Sequence, residues 1–199
     1  MKIIAGKFKG RNLMLSSVQK NNEQMRPTTS FAKSVLFNLL AQNAIVQTNL
    51  ENKKVLDCFC GTGAVGFEFA SHGAGEVMFI DSDETNISQI HKNAENLEIN
   101  YTARVGFFPH AKVKEEFDII FIDPPYIAAQ SQTLKTIINL ITHSLAKSGM
   151  MIIELSNNKH SSLKKNIYEV IAEKMDVILE REVSDKTLLL FVKFKNSTL

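Results

Sequence analysis

The chain has 199 residues, of which 44% are hydrophobic, 22% charged and 8% aromatic, with a net charge of +2; these are the proportions of one ordinary folded domain and exclude general disorder. The longest clean apolar run, Leu188 to Val192, is far shorter than the roughly 18 residues of a membrane-spanning helix, and the first residues lack the apolar core of a signal peptide. Cys58 and Cys60 lie too close together for an ordinary disulfide, so we expect a cytoplasmic protein without a membrane anchor.

The charge is unevenly distributed along the chain. Residues 1–50 carry seven Lys or Arg and one acid, a net +6, whereas the other 149 residues carry 16 bases and 20 acids, a net −4. A basic amino-terminal segment on a mildly acidic body indicates either a polyanionic partner or a solvated charged arm. Charge alone leaves both interpretations open.

The first elements predicted are a small β-hairpin and a helix. Glycines punctuate residues 2–15, which we interpret as the hairpin, and the polar residues 16–25 predict a loop. The helix-start residues RPTTS, from Arg26, precede apolar residues at helical spacing that continue to about Gln42. We therefore divide the chain into a basic extension, residues 1–25, and a body, residues 26–199.

From residue 53 onward, predicted strands alternate with predicted helices. The strands are Val55–Phe59, Val77–Ile80, Ala103–Phe107, Phe117–Ile122, Met150–Leu155, Val177–Arg181 and Leu188–Phe194; the helices are Val65–Ser71, Glu84–Leu97, Leu134–Leu145 and Ser161–Lys174. Alternating strands and helices predict an α/β fold with a mostly parallel sheet between two helical layers. The last two strands predict a closing antiparallel hairpin.

A glycine-rich segment, DCFCGTGAVG over residues 57–66, follows the first strand directly and precedes a helix. Glycines allow a tight turn and close backbone approach to a ligand, and the helix start offers free N–H groups. Asp81 ends the next strand, 20 positions after Gly61, where a carboxylate would accept hydrogen bonds from ribose hydroxyls. The pattern predicts a nucleoside cofactor bound by Gly61, Thr62, Gly63 and Asp81.

The position of Asp57 bears on which nucleoside cofactor binds. The glycine pattern also fits a dinucleotide, but Asp57 stands four residues before Gly61, where it would face a pyrophosphate unfavourably. A carboxylate there suits a cationic ligand. S-adenosylmethionine has a sulfonium, an α-ammonium group and no phosphate, so Asp57 favours it, with a nicotinamide oxidoreductase as the alternative.

The loop after the strand Phe117–Ile122 reads Asp123-Pro124-Pro125-Tyr126. Ligands of open α/β sheets bind beyond the carboxyl ends of the strands, so this loop is expected beside the glycine loop. The Asp123 carboxylate and a backbone carbonyl at Pro124 would provide two acceptors for one NH₂ group, and Tyr126 a face for a flat base. We therefore predict Asp123, Pro124 and Tyr126 as the catalytic residues, acting on the amino group of a base.

Together with the glycine loop and Asp81, the D-P-P-Y loop resembles the signature of S-adenosylmethionine-dependent amino-group methyltransferases. The opening KIIAGKFKGRNL, the later RPTT and the helix residues VLFNL are similar to bacterial 16S rRNA (guanine-N(2))-methyltransferases of the Rsm-D type. The similarity continues through FDIIFIDPPY, IELS and the final hairpin, and so covers nearly the whole chain.

The resemblance implies a Rossmann-like class I methyltransferase fold, with a mostly parallel seven-stranded sheet, a closing antiparallel hairpin and a small amino-terminal hairpin. It implies S-adenosylmethionine as cofactor and direct methyl transfer to the exocyclic amine of an unpaired or flipped-out guanine in small-subunit rRNA. Lys7, Lys9, Arg11 and Arg26 are expected to hold RNA phosphates. We expect a monomer that acts on ribosomal RNA, either as naked RNA or within an assembled or assembling small subunit, and that needs no metal.

Two positions depart from the family pattern. The stretch Phe107–His110 after the third strand lacks the usual acidic residue, so no side chain is assigned to the adenine, and Ser184 replaces the usual glycine of the closing hairpin. Three alternatives remain open from the residues: an amino-methyltransferase of adenine in another nucleic acid, a protein-glutamine methyltransferase, and a catalytically idle RNA-binding assembly factor.

Overall fold

Seven strands form one sheet in the computed structural model, which describes residues 1–15, 29–124, 131–156, 162–185 and 187–195. The strands are β1 (Lys54–Cys58), β2 (Glu76–Asp81), β3 (Tyr101–Val105), β4 (Phe117–Ile122), β5 (Leu145–Ser156), β6 (Met175–Ser184) and β7 (Thr187–Phe194). The helices within the described residues are α1 (Ser30–Gln42), α2 (Ala64–Ser71), α3 (Glu84–Leu97), α4 (Ser131–Thr142) and α5 (Ser162–Ile171).

The strand order is β3-β2-β1-β4-β5-β7-β6, and every neighbouring pair is parallel except the two pairs that include β7. This arrangement confirms the predicted mostly parallel sheet with a closing antiparallel hairpin. The central strands are nearly continuous apolar runs because helices cover both faces of the sheet. No helix among the described residues has the length and apolar character required to cross a membrane.

Several predicted boundaries were wrong, and three of them illustrate why. Phe59 lies beyond β1 with a φ of 59°, because the chain is already turning into the glycine loop. Leu145 begins β5 rather than ending a helix, and β3 ends at Val105 instead of reaching Phe107. In each case the apolar pattern is compatible with both states, and packing decides between them.

Each face of the sheet has its own apolar core. One core combines Val55 and Phe79 with buried residues of α1, α2 and α3, and the other combines Leu56 and Ile80 with residues of α4 and α5. The residues alternate between the two cores along each strand because successive side chains point to opposite faces. The sheet is therefore the middle of three layers.

Residues 1–15, here called the arm, pack across the helices on one face. The predicted hairpin is reduced to one antiparallel bridge between Lys2 and Asn12, supported by an N–H of Ile3 that donates to the Arg11 carbonyl at 3.0 Å. Ile3 is 0% exposed and Leu13 3%, so both belong to the core. The expected boundary between residues 25 and 26 lies outside the described residues.

The carboxyl ends of β2, β1 and β4 lie side by side. In the parallel register Cys58 pairs with Ile80 on one side and with Ile122 on the other. The order of the strands reverses between β1 and β4, which is where open α/β sheets bind their ligands. We call this side of the sheet the carboxyl edge.

Candidate active site

The glycine loop turns within a few residues from β1 into α2. Gly61 and Gly63 have φ values of 51° and 74°, in the left-handed region that favours glycine. The N–H of Gly63 donates to the Cys60 carbonyl at 2.7 Å, and α2 begins at the next residue without a side-chain cap. The loop therefore presents backbone N–H groups of a helix start at the carboxyl edge.

The side chain of Asp57 is fastened to the first turn of α2. Its Oδ2 accepts a hydrogen bond from the N–H of Gly66 at 2.8 Å. A Cβ on Gly66 would lie 2.3 Å from the ring of Phe79 and 2.9 Å from the same Oδ2. The glycine is therefore required for the close approach of α2 to the sheet.

The negative charges of Asp81 and Asp123 act on Asp57 at this edge. Asp57 is 2% exposed, and its burial raises its pKa to about 8, with further contributions from the negative charges of Asp123 and Asp81 and an opposing one from the Gly66 hydrogen bond. A buried acid with two acidic neighbours ionises readily only when a positive charge is present. The site thus fits a cationic ligand, and a cofactor contact of Asp57 stays a prediction.

Asp81 has a role that the sequence reasoning missed. Its Oδ2 accepts from the Gly61 N–H at 2.8 Å, and its Oδ1 accepts from the Asp83 N–H at 2.9 Å and from the Asn86 amide at 3.1 Å. A carboxylate has about four acceptor sites, so one on Oδ2 remains for a ligand hydroxyl. Asp81 therefore also fixes the glycine loop to the turn before α3, and the D-S-D spacing of residues 81–83 was the available signal.

Asp123 and Pro124 follow β4 directly and lie partly exposed at the carboxyl edge. The effect of Asp123 on the pKa of Asp57 indicates that the predicted catalytic acid lies beside the predicted cofactor site. Pro125 and Tyr126 lie outside the described residues. The stacking role of Tyr126 therefore stays a prediction.

Thr62 turns its hydroxyl towards the arm. The residue is 8% exposed, and its Oγ1 donates to the Met1 sulfur at 3.6 Å. The loop that was predicted to hold the cofactor is therefore in direct contact with the amino-terminal residues. A cofactor contact of Thr62 stays a prediction.

The segment after β3 comes close to Asp81. The Gly106 N–H donates to the Asp81 carbonyl at 2.8 Å, and the following Phe107 is 65% exposed and stacks on His110 at 6.1 Å. These residues stand where the family pattern has an acid. An exposed aromatic ring thus follows, by one residue, the glycine that bonds to the backbone of Asp81.

The two cysteines are structural residues of the core. Cys58 is 0% and Cys60 8% exposed, and burial raises the pKa of both thiols. A thiol in this state is a poor nucleophile. The described part of the chain contains no group of three or more His, Cys, Asp or Glu side chains that could hold a metal ion.

Three of the four predicted RNA-binding cations, Lys7, Lys9 and Arg11, lie away from the carboxyl edge. The N–H of Lys7 donates to the carbonyl of Ser71, the last residue of α2, at 2.7 Å. Since a helix rises 1.5 Å per residue, this end of α2 is about 12 Å from the glycine loop. Lys7, Lys9 and Arg11 share that turn, and Arg26 lies outside the described residues.

Comparisons with known proteins agree with this geometry. The family model described as Conserved hypothetical protein 95 matches residues 1–182. The chain is 30% identical over 171 residues to ribosomal RNA small subunit methyltransferase D of Buchnera aphidicola subsp. Acyrthosiphon pisum, covering 82% of each chain. It is 32% identical over 133 residues to the Haemophilus influenzae protein of the same name, covering 63% of this chain and 64% of that relative.

A solved structure shows the same fold over almost the whole length. The Escherichia coli protein yhhF, described as a methyltransferase, superimposes with a TM-score of 0.76 at 24% sequence identity, covering 98% of both chains. The seven-stranded order and the closing antiparallel hairpin are thus those of a Rossmann-like methyltransferase. The chain belongs to the Conserved hypothetical protein 95 family, which is the Rsm-D type family that its motifs resemble.

Proposed function

We propose that this protein is an S-adenosylmethionine-dependent methyltransferase of small-subunit ribosomal RNA, and that its acceptor is the exocyclic N2 amine of a guanine. The observation that carries the proposal is the convergence of Asp57, Asp81 and Asp123 on the glycine loop at one edge of the sheet. The relatives named ribosomal RNA small subunit methyltransferase D support the RNA class. The D-P-P-Y loop supports an amino group as the methyl acceptor.

The residues of the glycine loop and the two neighbouring strand ends fit the cofactor. Asp57 provides a buried carboxylate for a cationic ligand, and Asp81 retains one acceptor site for a ribose hydroxyl. Gly61 and Gly63 allow the loop to approach a ligand closely. When bound, S-adenosylmethionine supplies an electrophilic methyl group.

Asp123 and Pro124 position the acceptor. The Asp123 carboxylate and the Pro124 carbonyl accept the two hydrogens of the amine, so its lone pair points away from them. A guanine amine is poorly nucleophilic because its lone pair is delocalised into the ring. Two acceptors favour a pyramidal nitrogen and stabilise the positive charge that develops on it. Tyr126 offers the face on which the flipped base stacks.

The charge distribution supports a nucleic-acid acceptor over a protein side chain. Residues 1–50 carry a net charge of +6, and the loop begins with Asp123 rather than with asparagine. We propose that the enzyme is a monomer and that its substrate is the RNA within an assembled or assembling small subunit. Comparing methylation of small subunits with methylation of naked RNA tests the proposed substrate.

The deciding experiment compares the nucleosides of 16S RNA from cells with and without this protein by mass mapping. One methylguanosine methylated at N2 should be missing without the protein and restored by adding the purified enzyme and cofactor to small subunits. Restoration on naked RNA but not on subunits contradicts the proposed substrate. Loss of a methyladenosine, or of no modified nucleoside, contradicts the proposed reaction.

The Asp123→Ala variant should abolish methyl transfer but leave cofactor affinity within about tenfold, or 1.4 kcal/mol. Asp123 faces the amine, whereas Asp57 and Asp81 hold the cofactor. Calorimetric titration of the cofactor and a radiolabelled methyl-transfer assay measure the two effects separately. As a matched control, Asp81→Asn should mainly weaken cofactor binding. An Asp123→Ala enzyme with near-normal turnover, or without cofactor binding, contradicts the assignment.

A further inference from the structure

The arm carries positive charges that no carboxylate of the described residues neutralises. Lys2, Lys7, Lys9 and Arg11 are exposed, and residues 1–15 contain no acid. Within the described ranges, the ion pairs use other cations: Lys33, Lys53, Lys54 and Arg104. The four charges of the arm are therefore available to an external anion.

The turn that presents most of these charges, residues 6–11 and here called the basic turn, is seated rigidly on the end of α2. The Ser71 hydroxyl donates to the Ala5 carbonyl and accepts from the Phe8 N–H at 3.0 Å. A Cβ on Gly6 would lie 2.0 Å from the Ser71 carbonyl oxygen, so the two backbones are in close contact. The basic turn is therefore ordered before any partner binds.

The start of the arm is fixed by a buried ion pair. The Lys33 Nζ lies 2.7 Å from Glu68 Oε1, with the side chains 1% and 0% exposed. The same ammonium donates to the Lys2 carbonyl at 3.2 Å, and the Ile4 N–H donates to the same carboxylate at 2.9 Å. The arm cannot swing towards the carboxyl edge without losing its two hydrogen bonds to this buried pair.

The direction of the helices fixes which end of the molecule the basic turn occupies. Lys33 contacts Glu68 and, one turn later, Phe37 stacks on His72 at 4.4 Å, so α1 and α2 run in parallel. Both helices start near the carboxyl edge, because α2 begins in the glycine loop. The basic turn lies at the opposite end of α2, about 12 Å along its axis.

We propose that the basic turn is a remote docking site of the substrate RNA, which binds phosphates distant from the nucleotide that Asp123 engages. The inference rests on the proposed function. A rigid turn with exposed, unpaired cations suits a polyanion, and its distance from the carboxyl edge excludes the reactive nucleotide itself. The enzyme therefore contacts its RNA at two places about 12 Å apart, and a fragment around the guanine that is too short to span this distance fills only one of them.

The test neutralises two cations of the basic turn that make no side-chain hydrogen bond in the described structure, as Lys7→Gln/Lys9→Gln. The control Lys147→Gln/Lys174→Gln removes the same charge from two exposed positions elsewhere. Both are assayed on small subunits, on whole 16S RNA and on a short fragment around the modified guanine. Salt titrations of binding, KM, kcat and melting temperature are measured for each.

We expect the Lys7→Gln/Lys9→Gln enzyme to have a raised KM on the larger substrates, with unchanged kcat, cofactor affinity and melting temperature. Its slope of log affinity against log salt should be shallower by about 1.4–1.8, since each lost phosphate contact contributes about 0.7–0.9. On the short fragment it should equal the wild type. The control should match the wild type on every substrate.

Three outcomes overturn the proposal. An equal loss on the short fragment places the basic turn at the reactive nucleotide. An unchanged salt slope on the larger substrates excludes a phosphate contact. A lowered melting temperature with unchanged RNA affinity assigns Lys7 and Lys9 to the negative end of the α2 dipole. Wild-type binding to RNA that is never methylated would contradict the proposed function instead, and the salt slopes would still test the basic turn.

Discussion

Acidic residues lie beside the amino end of helix α2 and basic residues beside its carboxyl end, and the two groups differ in their exposure to water. At its amino end Asp57 is buried beside Asp81 and Asp123, and burial raises its pKa to about 8. At its carboxyl end the basic turn holds Lys7 and Lys9 in water. A buried carboxylate such as Asp57 has lost its hydrating water and is stabilised by a small cation that binds directly to it. Exposed lysines such as Lys7 and Lys9 remain hydrated and bind a polyanion, because that binding releases the counterions of the polyanion.

The largest effect is expected from breaking the buried ion pair between Lys33 and Glu68, which lies between the two ends of α2. Lys33→Met should lower the free energy of unfolding by about 3–5 kcal/mol, because it leaves the buried Glu68 carboxylate without its counter-charge. The Oε2 of Glu68 has no hydrogen-bond partner among the described residues, so the carboxylate depends on Lys33. Urea denaturation followed by circular dichroism measures the change.

Two comparisons isolate the buried pair. Lys53→Met breaks the pair with Asp118, whose side chains are 37% and 29% exposed, and should cost less than about 1 kcal/mol. Lys33→Met/Glu68→Leu removes both buried charges and should recover much of the loss. Equal destabilisation by Lys33→Met and Lys53→Met would contradict the role given to the buried pair.

A smaller effect is expected at the acidic end. Asp57→Asn should weaken cofactor binding about tenfold to a hundredfold, or roughly 1.4–2.7 kcal/mol, because it removes the buried negative charge. Wild-type affinity should rise with pH up to about 8, since Asp57 must lose its proton to pair with a cation. The variant should lack this rise, which calorimetric titrations at several pH values would detect.

The same substitution has a distinct effect on the protein without cofactor. The pKa of Asp57 is about 8 in the folded protein and 3.8 as its ordinary value, so the folded state binds the proton more tightly. The resulting stabilisation is complete below pH 3.8 and is lost as the pH rises through 8. The melting temperature of Asp57→Asn should therefore rise relative to that of the wild type as the pH increases from about 4 to about 8. A constant difference would contradict the raised pKa.

The smallest effect is expected beside the basic turn, at His72. Burial lowers its pKa below the ordinary 6.5, although the charge of Glu68 opposes the shift. The folded state therefore favours the neutral ring, and its contribution to stability is lost as the pH falls through 6.5 and then through the lower folded pKa. His72→Phe preserves the stacking on Phe37 and should make the melting temperature less sensitive between pH 7 and 5. Identical pH profiles would contradict this prediction.

Features that depend on neighbouring residues were predictable from the sequence. The glycine loop, Asp81 and Asp123 each follow an apolar strand, and parallel strands bring their carboxyl ends to one edge. The alternation of strands and helices in the sequence also predicted the mostly parallel sheet and its closing antiparallel hairpin. The roles of Tyr126 and Arg26 stay predictions, because both lie outside the described residues.

Features that depend on distant partners were not predictable. Lys33 occupies a helix position that a solvated lysine fills equally well, and only the fold brings Glu68, 35 residues later, against it. The position of Lys7 and Lys9 in the molecule depends on the backbone hydrogen bond between Lys7 and Ser71, and a contact between residues so far apart in sequence cannot be predicted from local patterns. The donors around Asp81 likewise come from two loops that meet only in the folded chain.

The packing of the arm on α2 limits the order in which the parts of the chain can fold during synthesis. The arm is made before α2 and α3: Glu68 and Ser71 follow their partners in the arm by 64 and 63 residues, and Asn93 follows Met14 by 79 residues. The arm therefore waits with Ile3 and Leu13 uncovered until α3 has been synthesised. All eight residues of α2 are buried in the finished protein, and part of the surface that covers this helix comes from the arm, which precedes it in the chain.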